Sequence, residues 1–212
     1  MFQDTLIRLE DGDPDVLLER INPLLEGSPF QAQTADIYSR DVSFYPGYRF
    51  LKICDQGVTP AHIKNVLYSE NDVIVLGGGN EFIYALNDRL PIILTADNVC
   101  DYVRFFFTHV RGKKGRFVVV ETIEDIPWKE EPPPSARRAI GNMIKAVSYC
   151  DPVDLGTSIS AENGSHYVEA CFLFKTALFL SFVEIKSNGR VQVVQEELLV
   201  EDMPVLDDTT RL

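Results

Sequence analysis

Segment 96–110 is the feature that most restricts how this chain can fold. Its apolar residues recur at spacings of three, four and seven, which is typical of an amphipathic helix. The stripe consists of Val99, Tyr102, Val103, Phe106 and Val110. Cys100, Phe105 and Phe107 lie off this stripe. A helix that is apolar around most of its circumference is usually buried on most of it. We therefore expect a central helix over 96–110, wrapped by sheet or covered by a partner chain.

The last third of the chain has a strand pattern. Three strand-like runs cover 166–175, 177–186 and 190–200. Asn188-Gly189, between the last two runs, is the strongest hairpin signal, because both positions tolerate the positive φ of a type I′ turn. We expect an antiparallel meander over 166–200, followed by an acidic tail, 201–212, that lies loosely on the surface.

The N-terminal part combines one helix with strands. Asp13 can cap a helix that has Pro14 at its first position, so the pattern predicts a helix over 14–25. Pro23 should end or kink it. Residues 37–94 are then expected to be strand-rich, with 81–86 and 91–94 among the strands.

The middle of the chain carries a short strand, a loop and a further helix. The run 117–120 is almost continuously apolar, which favours a central strand. Residues 123–134 read as a loop, and Ser135 can cap a third helix.

These elements lack the regular alternation of doubly wound folds. We predict an α+β fold with about three helices, in which mostly antiparallel, curved sheet packs around the helix over 96–110. The proline-rich stretch 129–134 would leave only about 78 residues after it, so we expect one domain over 1–212.

Composition narrows the function classes. The formal net charge is −12, which disfavours nucleic acid as a partner. No apolar run is long enough for a membrane span, and the first residues do not resemble a signal peptide. The four cysteines form no CxxC pair, which favours reduced thiols. We expect a cytoplasmic protein that does not bind membranes.

Two segments are candidates for an anion site. Gly78, Gly79 and Asn80 follow another glycine, and such a run can let backbone N–H groups approach a phosphate. A flexible hairpin turn is the alternative that we prefer, because the P-loop context is missing.

The second segment is a basic loop on an otherwise acidic chain. Arg104 and His109 precede it, and it contains Arg111, Lys113, Lys114 and Arg116. These side chains can form a site for a small anionic ligand. The alternative is a solvated turn whose cations meet the C-terminal dipole of the preceding helix.

No catalytic or metal-binding signature is present. The histidines His62, His109 and His166 have no zinc-ligand spacing. No GxSxG elbow or cysteine-protease signature occurs. We therefore predict no catalytic residues, no metal site and no cofactor.

Aromatic residues supply candidates for an interface. Tyr45 and Tyr48 flank a Pro-Gly turn, and Trp128 lies in the proline-rich loop. Phe105 and Phe107, which lie off the helix stripe, are further candidates. For Tyr45 and Tyr48 the alternative is a hairpin corner that packs on the core, and for Trp128 it is a staple that holds its loop.

The leading functional hypothesis is a non-catalytic binding or self-assembly module, which associates through a sheet edge or through the helix over 96–110 as a homo-oligomer. One alternative is a small-molecule-binding protein or enzyme, with an anion or acid–base cleft near the glycine turn and the basic loop. Another is an interaction protein whose negative charge recognises a basic partner surface.

Overall fold

The computed structural model describes residues 6–9, 14–110, 115–151 and 164–206. The chain divides into two compact units, one of residues 3–77 and one of residues 78–212 together with residues 1–2. The organisation as one domain stays a prediction.

The N-terminal unit (3–77) is an antiparallel sheet of five strands in the order β1-β2-β3-β4-β5. The strands are β1 (Ile7–Arg8), β2 (Ala35–Asp41), β3 (Arg49–Asp55), β4 (His62–Tyr68) and β5 (Val73–Val75). Helix α1 (Pro14–Ile21) passes into a 3₁₀ turn, Asn22–Leu24, as Pro23 predicts. Its residues Leu18 and Ile21 pack against Leu51 and Ile53 of β3.

In the described residues of the C-terminal unit (78–212), a second antiparallel sheet is accompanied by three α-helices. The helices are α2 (Asn80–Arg89), α3 (Val99–His109) and α4 (Pro134–Gly141). The strands are β6 (Phe117–Val120), β7 (Ser148–Cys150), β8 (His166–Phe174), β9 (Ala177–Ile185) and β10 (Val191–Val200). In the sheet, β10 lies beside β9 and β9 beside β8, and both β6 and β7 pair with β8.

Helix α3 forms the centre of this unit, as its apolar circumference predicts. Its side chains Tyr102, Val103 and Phe105 are fully buried. Phe107 contacts Phe172 of β8, with ring centroids 4.4 Å apart. The predicted α+β class with antiparallel sheets is confirmed, with four α-helices among the described residues instead of about three.

The segment predicted as a strand over 81–86 is helical, which is the main correction to the sequence analysis. Helix α2 buries Ile83 and Leu86, and Leu90 follows at its end. Spacings of three and four place these side chains on one helical face. Residues 91–94 form no strand either. The strand-rich region therefore ends at β5.

Three smaller corrections concern the C-terminal unit. Strand β6 pairs only with β8 among the described strands, so it is not central. Helix α4 begins at Pro134, so Ser135 lies within it and does not cap it, and the helix ends at Gly141, a poor helix former. Segment 201–206 does not lie loosely on the surface, because Met203 and Val205 are buried in the core with β6, β8 and β9.

The loop prediction over 123–134 is refined in the same region. A 3₁₀ turn, Ile123–Asp125, opens it, and Thr122 and Asp125 close a capping box around that turn. Trp128 then forms an isolated bridge with Val205. The loop is thus held to the segment that follows β10. The remainder of the predicted acidic tail, 207–212, lies outside the described residues.

Candidate functional site

The glycine turn starts a helix and is not the hairpin turn that the sequence favoured. Gly79 is the N-cap of α2, and Asn80 is its first residue. The Asn80 Oδ1 accepts a hydrogen bond from the Glu81 backbone N–H at 2.9 Å. A Cβ at Gly78 or Gly79 would meet nothing within 4 Å, so the local packing does not require glycine at either position.

Helices α2 and α3 run antiparallel, which fixes where the predicted anion-site residues lie. Tyr84 stacks on Phe106 with ring centroids 5.8 Å apart, and Asn87 donates a hydrogen bond to Tyr102 at 2.9 Å. The start of α2 therefore lies at the same end of the helix pair as the end of α3. The structure brings Asn80 and His109 to one end of the unit.

Arg104 is engaged by carboxylates of its own chain. Its guanidinium binds both oxygens of Glu121, at 2.8 and 3.0 Å, and Asp101 at 2.9 Å. Glu121 also accepts a hydrogen bond from the Val147 backbone N–H. Hydrogen bonding to Glu121 raises the pKa of Arg104. Burial pushes the pKa of Glu121 upward, but the hydrogen bonds and charge of Arg104 leave it lowered overall. This ion pair joins α3 to the end of β6.

His109 is a neutral core residue. Its side chain is buried, and its ring lies 4.8 Å from the ring of Phe105. Burial lowers the pKa of His109 to about 3, and the charge of Arg116 acts in the same direction. Arg116 itself donates to the Thr108 carbonyl at 3.4 Å. Arg111, Lys113 and Lys114 lie outside the described residues, so the anion site stays a prediction.

The predicted interface residues are mostly internal. Tyr45, Phe105 and Phe107 are buried. The Tyr48 hydroxyl donates to Asp72 at 3.0 Å, which pins the corner after β2 to the start of β5. Trp128 packs against the core through its bridge to Val205. We therefore place the candidate binding surface elsewhere.

A shallow cavity of about 310 Å³ lies beside the same corner. Asp41 and Arg49 line it, and they form an ion pair with each other at 3.0 Å. Its lining offers the Ser43 hydroxyl but no histidine or cysteine, and its carboxylate, Asp41, is held in that ion pair.

Among the described residues, no group of three or more His, Cys, Asp or Glu side chains could hold a metal ion. No helix in these parts of the chain has the length and apolar character that crossing a membrane requires. All four cysteines are free thiols. Burial raises the pKa of Cys100 and of Cys171, which disfavours the reactive thiolate form.

The strongest candidate surface is the outer edge of β10. Strand β10 pairs with β9 and, in the described parts of the chain, has no strand on its other side. Most of its residues between Gln192 and Leu198 are exposed. Two of them are apolar: Val193 is 37% and Leu198 44% exposed. A long exposed edge strand with apolar side chains is a template for pairing with another chain.

The register shows which backbone groups of β10 point outward. In an antiparallel pair, opposed residues alternate between those that exchange hydrogen bonds and those that do not. Lys186 donates to the Arg190 carbonyl at 2.9 Å, so that pair exchanges hydrogen bonds. When this alternation is continued along β9 from Lys186, the pairs Glu196↔Ser181 and Leu198↔Phe179 are ones that do not exchange hydrogen bonds. The N–H and C=O groups of Glu196 and Leu198 therefore point away from β9.

Tyr84 supports this assignment independently. Its hydroxyl accepts a hydrogen bond from the Val191 N–H at 3.3 Å and donates to the Val191 carbonyl at 3.4 Å. By the same alternation, the Val191↔Ile185 pair does not exchange hydrogen bonds, so the backbone groups of Val191 point away from β9. A side chain of α2 thus binds the first outward-facing N–H and C=O groups of the edge, those of Val191. The outward-facing groups of Glu196 and Leu198 have no such partner in any hydrogen bond found among the described residues.

Sequence reasoning identified β10 as the last strand of the meander but did not select it as a site. The signal was available, because the last strand of a meander has only one neighbour within it. In addition, Gln192, Gln195 and Glu197 alternate poorly with apolar residues, which is unlike a strand that buries one face. The chain matches no protein-family model, no curated protein and no solved structure.

Proposed function

We propose that this chain is a non-catalytic binding module that captures an extended segment by adding it as a strand to the outer edge of β10. The exposed edge from Val193 to Leu198 is the observation that carries the proposal. Strand addition supplies affinity through backbone hydrogen bonds and selectivity through alternate side chains.

The place where pairing can occur is short and defined. The register between β10 and β9 is interrupted between Val193 and Gln195 and again between Leu198 and Val200. Residues Gln195–Leu198, here called the edge window, lie between these bulges in regular register. Bulges on both sides limit uncontrolled edge-to-edge association. The edge window can pair with a short segment through Glu196 and Leu198.

The perturbed titratable groups of the C-terminal unit support a binding role better than a catalytic one. Tyr102, whose pKa is raised by burial, donates to the Gly189 carbonyl at 2.7 Å and so holds the turn before β10. Glu121 and Arg104 neutralise each other in an ion pair. These groups hold the turn before β10 and the end of β6 in place, which is a structural role.

The proposal is tested by residue-resolved hydrogen exchange with short blocked threonine-valine peptides that carry a basic, neutral or acidic central pair. We expect at least one peptide to slow exchange of the Glu196 and Leu198 amides. Leu198→Pro should abolish the protection of the Glu196 amide, because it removes an N–H that points outward and leaves the β9 ladder intact. Leu198→Ala is the matched control, since it shortens the same side chain and keeps the N–H.

A second probe avoids altering the protein. Peptides N-methylated at alternate amides cannot donate to the edge, and we expect them to bind at least about tenfold more weakly. If no peptide of any charge protects these amides, and light scattering shows a strict monomer at high concentration, the proposal is wrong.

Self-assembly through the same edge is the other form of this proposal. It predicts that the Glu196 and Leu198 amides become protected as the chain is concentrated, without any peptide. The small-anion alternative rests on the shared end of α2 and α3, and it predicts instead that phosphate perturbs Asn80 and Arg116 and leaves β10 unchanged.

A further inference from the structure

We infer that the segment captured by β10 is basic, with two adjacent cationic residues opposite Glu196 and Glu197, and that it belongs to a different chain and not to a second copy. This inference rests on the proposed function of the edge and adds the chemistry of the partner to it.

The charge of the edge window carries the first step. Glu196 and Glu197 are both exposed and occupy its centre. Neither forms an ion pair among those found in the described residues. The sequence contains no lysine or arginine from Val191 to Leu206, whereas Glu201 and Asp202 extend the acidic run beyond β10. A segment that pairs here therefore meets two negative charges at the centre of the edge window and no cation along the strand.

The two glutamates point to opposite faces of the sheet, which sets the pattern of the partner. Glu196 lies opposite Ser181 and Glu197 opposite Leu180, and successive residues of a strand alternate between faces. Two adjacent basic residues in an added strand would place one cation on each face. Opposite charges directly across a strand pair stabilise it.

Apolar neighbours refine the pattern on one face. Val193 and Leu198 oppose Val183 and Phe179 of β9. These two β9 residues are each two positions from Ser181, the partner of Glu196, so all three lie on the same face of β9. The exposed side chains of Val193 and Leu198 thus flank Glu196 on the same face. We expect the partner to carry β-branched or other apolar residues on either side of its cationic pair.

The same charges disfavour a second copy. A self-pairing centred on Glu196 or on Glu197 would set two glutamates directly opposite each other, which destabilises a strand pair. Each copy also carries a net charge of −12, so two copies repel at long range. Arg190, the nearest cation before the strand, lies over the ring of Tyr84 at 5.2 Å. The edge thus favours a basic segment of a different protein over a second copy of this chain.

The test compares three short blocked threonine-valine peptides whose central pair is lysine–arginine, serine–threonine or glutamate–aspartate. Binding is measured by fluorescence anisotropy, and the site is located by hydrogen exchange. We expect the basic peptide to bind at least about tenfold more tightly than the neutral one at low salt, and this advantage to shrink as salt screens it. The acidic peptide should not bind.

A charge-matched pair of variants separates local recognition from net charge. Glu196→Gln with Glu197→Gln should weaken binding of the basic peptide about tenfold and leave binding of the neutral peptide unchanged. Glu26→Gln with Glu70→Gln removes two exposed glutamates from the N-terminal unit, which changes the net charge equally. That control should retain most of the affinity.

The outcomes distinguish this inference from the proposed function. If neutral, acidic and basic peptides protect Glu196 and Leu198 equally, or if a second copy protects them, the edge binds strands but the partner chemistry inferred here is wrong. If the basic peptide binds without protecting these amides, or the control pair loses as much affinity as the edge pair, the recognition is non-specific and the inference is also overturned. If no peptide binds and the chain stays a strict monomer at high concentration, the proposed function itself fails.

Discussion

Strands β8 and β10 lie on the two sides of β9, yet the chain surrounds them very differently. In β8 the residues Tyr167, Val168 and Phe172 are buried, and β6 and β7 complete its far side. In β10 most residues from Gln192 to Leu198 are exposed, and Tyr84 is the one side chain, among hydrogen bonds of the described residues, that binds its outer edge. The two strands pair with β9 over similar lengths.

The difference shows that backbone pairing and burial are separate properties of a strand. Strand β8 is held by side-chain packing on both faces, whereas β10 is held by its ladder to β9 and by the anchored turn at Gly189. Leaving the outer edge of a strand such as β10 unpaired costs little stability. Strand β10 can therefore bind a partner without refolding of the unit.

Truncation of a core side chain should separate the two strands most clearly. Phe172→Ala in β8 is expected to lower the free energy of unfolding by about 3–5 kcal/mol, because it opens a cavity beside Phe107 and Phe117. Leu198→Ala in β10 should cost less than about 1 kcal/mol. Urea unfolding followed by circular dichroism measures both. Equal losses would mean that β10 is as well packed as β8.

The anchored turn offers the next largest effect. Gly189 has φ +75, and a Cβ there would lie 2.3 Å from Asn87 Nδ2 and 2.7 Å from the Tyr102 hydroxyl. Gly189→Ala should destabilise the chain by about 3 kcal/mol. Gly47→Ala is the control, because Gly47 has φ +82 but nothing within 4 Å of its Cβ position. If the two variants lose the same stability, the close packing around Gly189 contributes nothing.

The helix that packs on β8 should respond to acid. The folded chain holds His109 neutral down to about pH 3, whereas an unfolded histidine is protonated below about pH 6.5. Stability is therefore complete above this range and falls as the pH drops through it.

Between pH 7 and pH 4 the loss attributable to His109 should be about 3 kcal/mol. His109→Phe, which cannot titrate, should show a shallower dependence in urea unfolding at a series of pH values. An unchanged slope in the variant would show that His109 is protonated in the folded chain.

The smallest expected effect concerns the hydrogen bonds that hold the turn. Tyr102→Phe removes the bond to the Gly189 carbonyl and the one from Asn87, so we expect a loss of about 1–2 kcal/mol. Thermal unfolding should detect it, and Tyr149→Phe at an exposed position should be neutral within error. A neutral Tyr102→Phe would contradict the role of this network in anchoring β10.

The fold was predictable where a local pattern decides it. The hairpin at Asn188-Gly189, the three C-terminal strands and the buried helix α3 each follow from residues adjacent in sequence. The turn type was wrong, because only Gly189 has the positive φ that a type I′ turn requires at both positions. Helix α2 did not, because Phe82, Ile83, Leu86 and the preceding glycines fit either a short strand or a helical face. Its helical state is stabilised by contacts of Tyr84 and Asn87 with α3, which are distant in sequence.

The candidate site was less predictable, because an edge is a property of sheet order and not of a residue motif. The sequence analysis named a sheet edge as a route of association but selected buried residues such as Phe105 and Phe107 as interface candidates. The exposed position of Leu198 depends on β9 and on the absence of a further strand beside β10 among the described residues.

Residue-resolved hydrogen exchange of the free, dilute chain tests the central claim most directly. The amides of Glu196 and Leu198 should exchange at least about a hundredfold faster than the amide of Glu197 on the same strand, because only Glu197 donates toward β9. Uniform protection of Glu196, Glu197 and Leu198 would contradict the account, since it would mean that the outer edge of β10 is already paired.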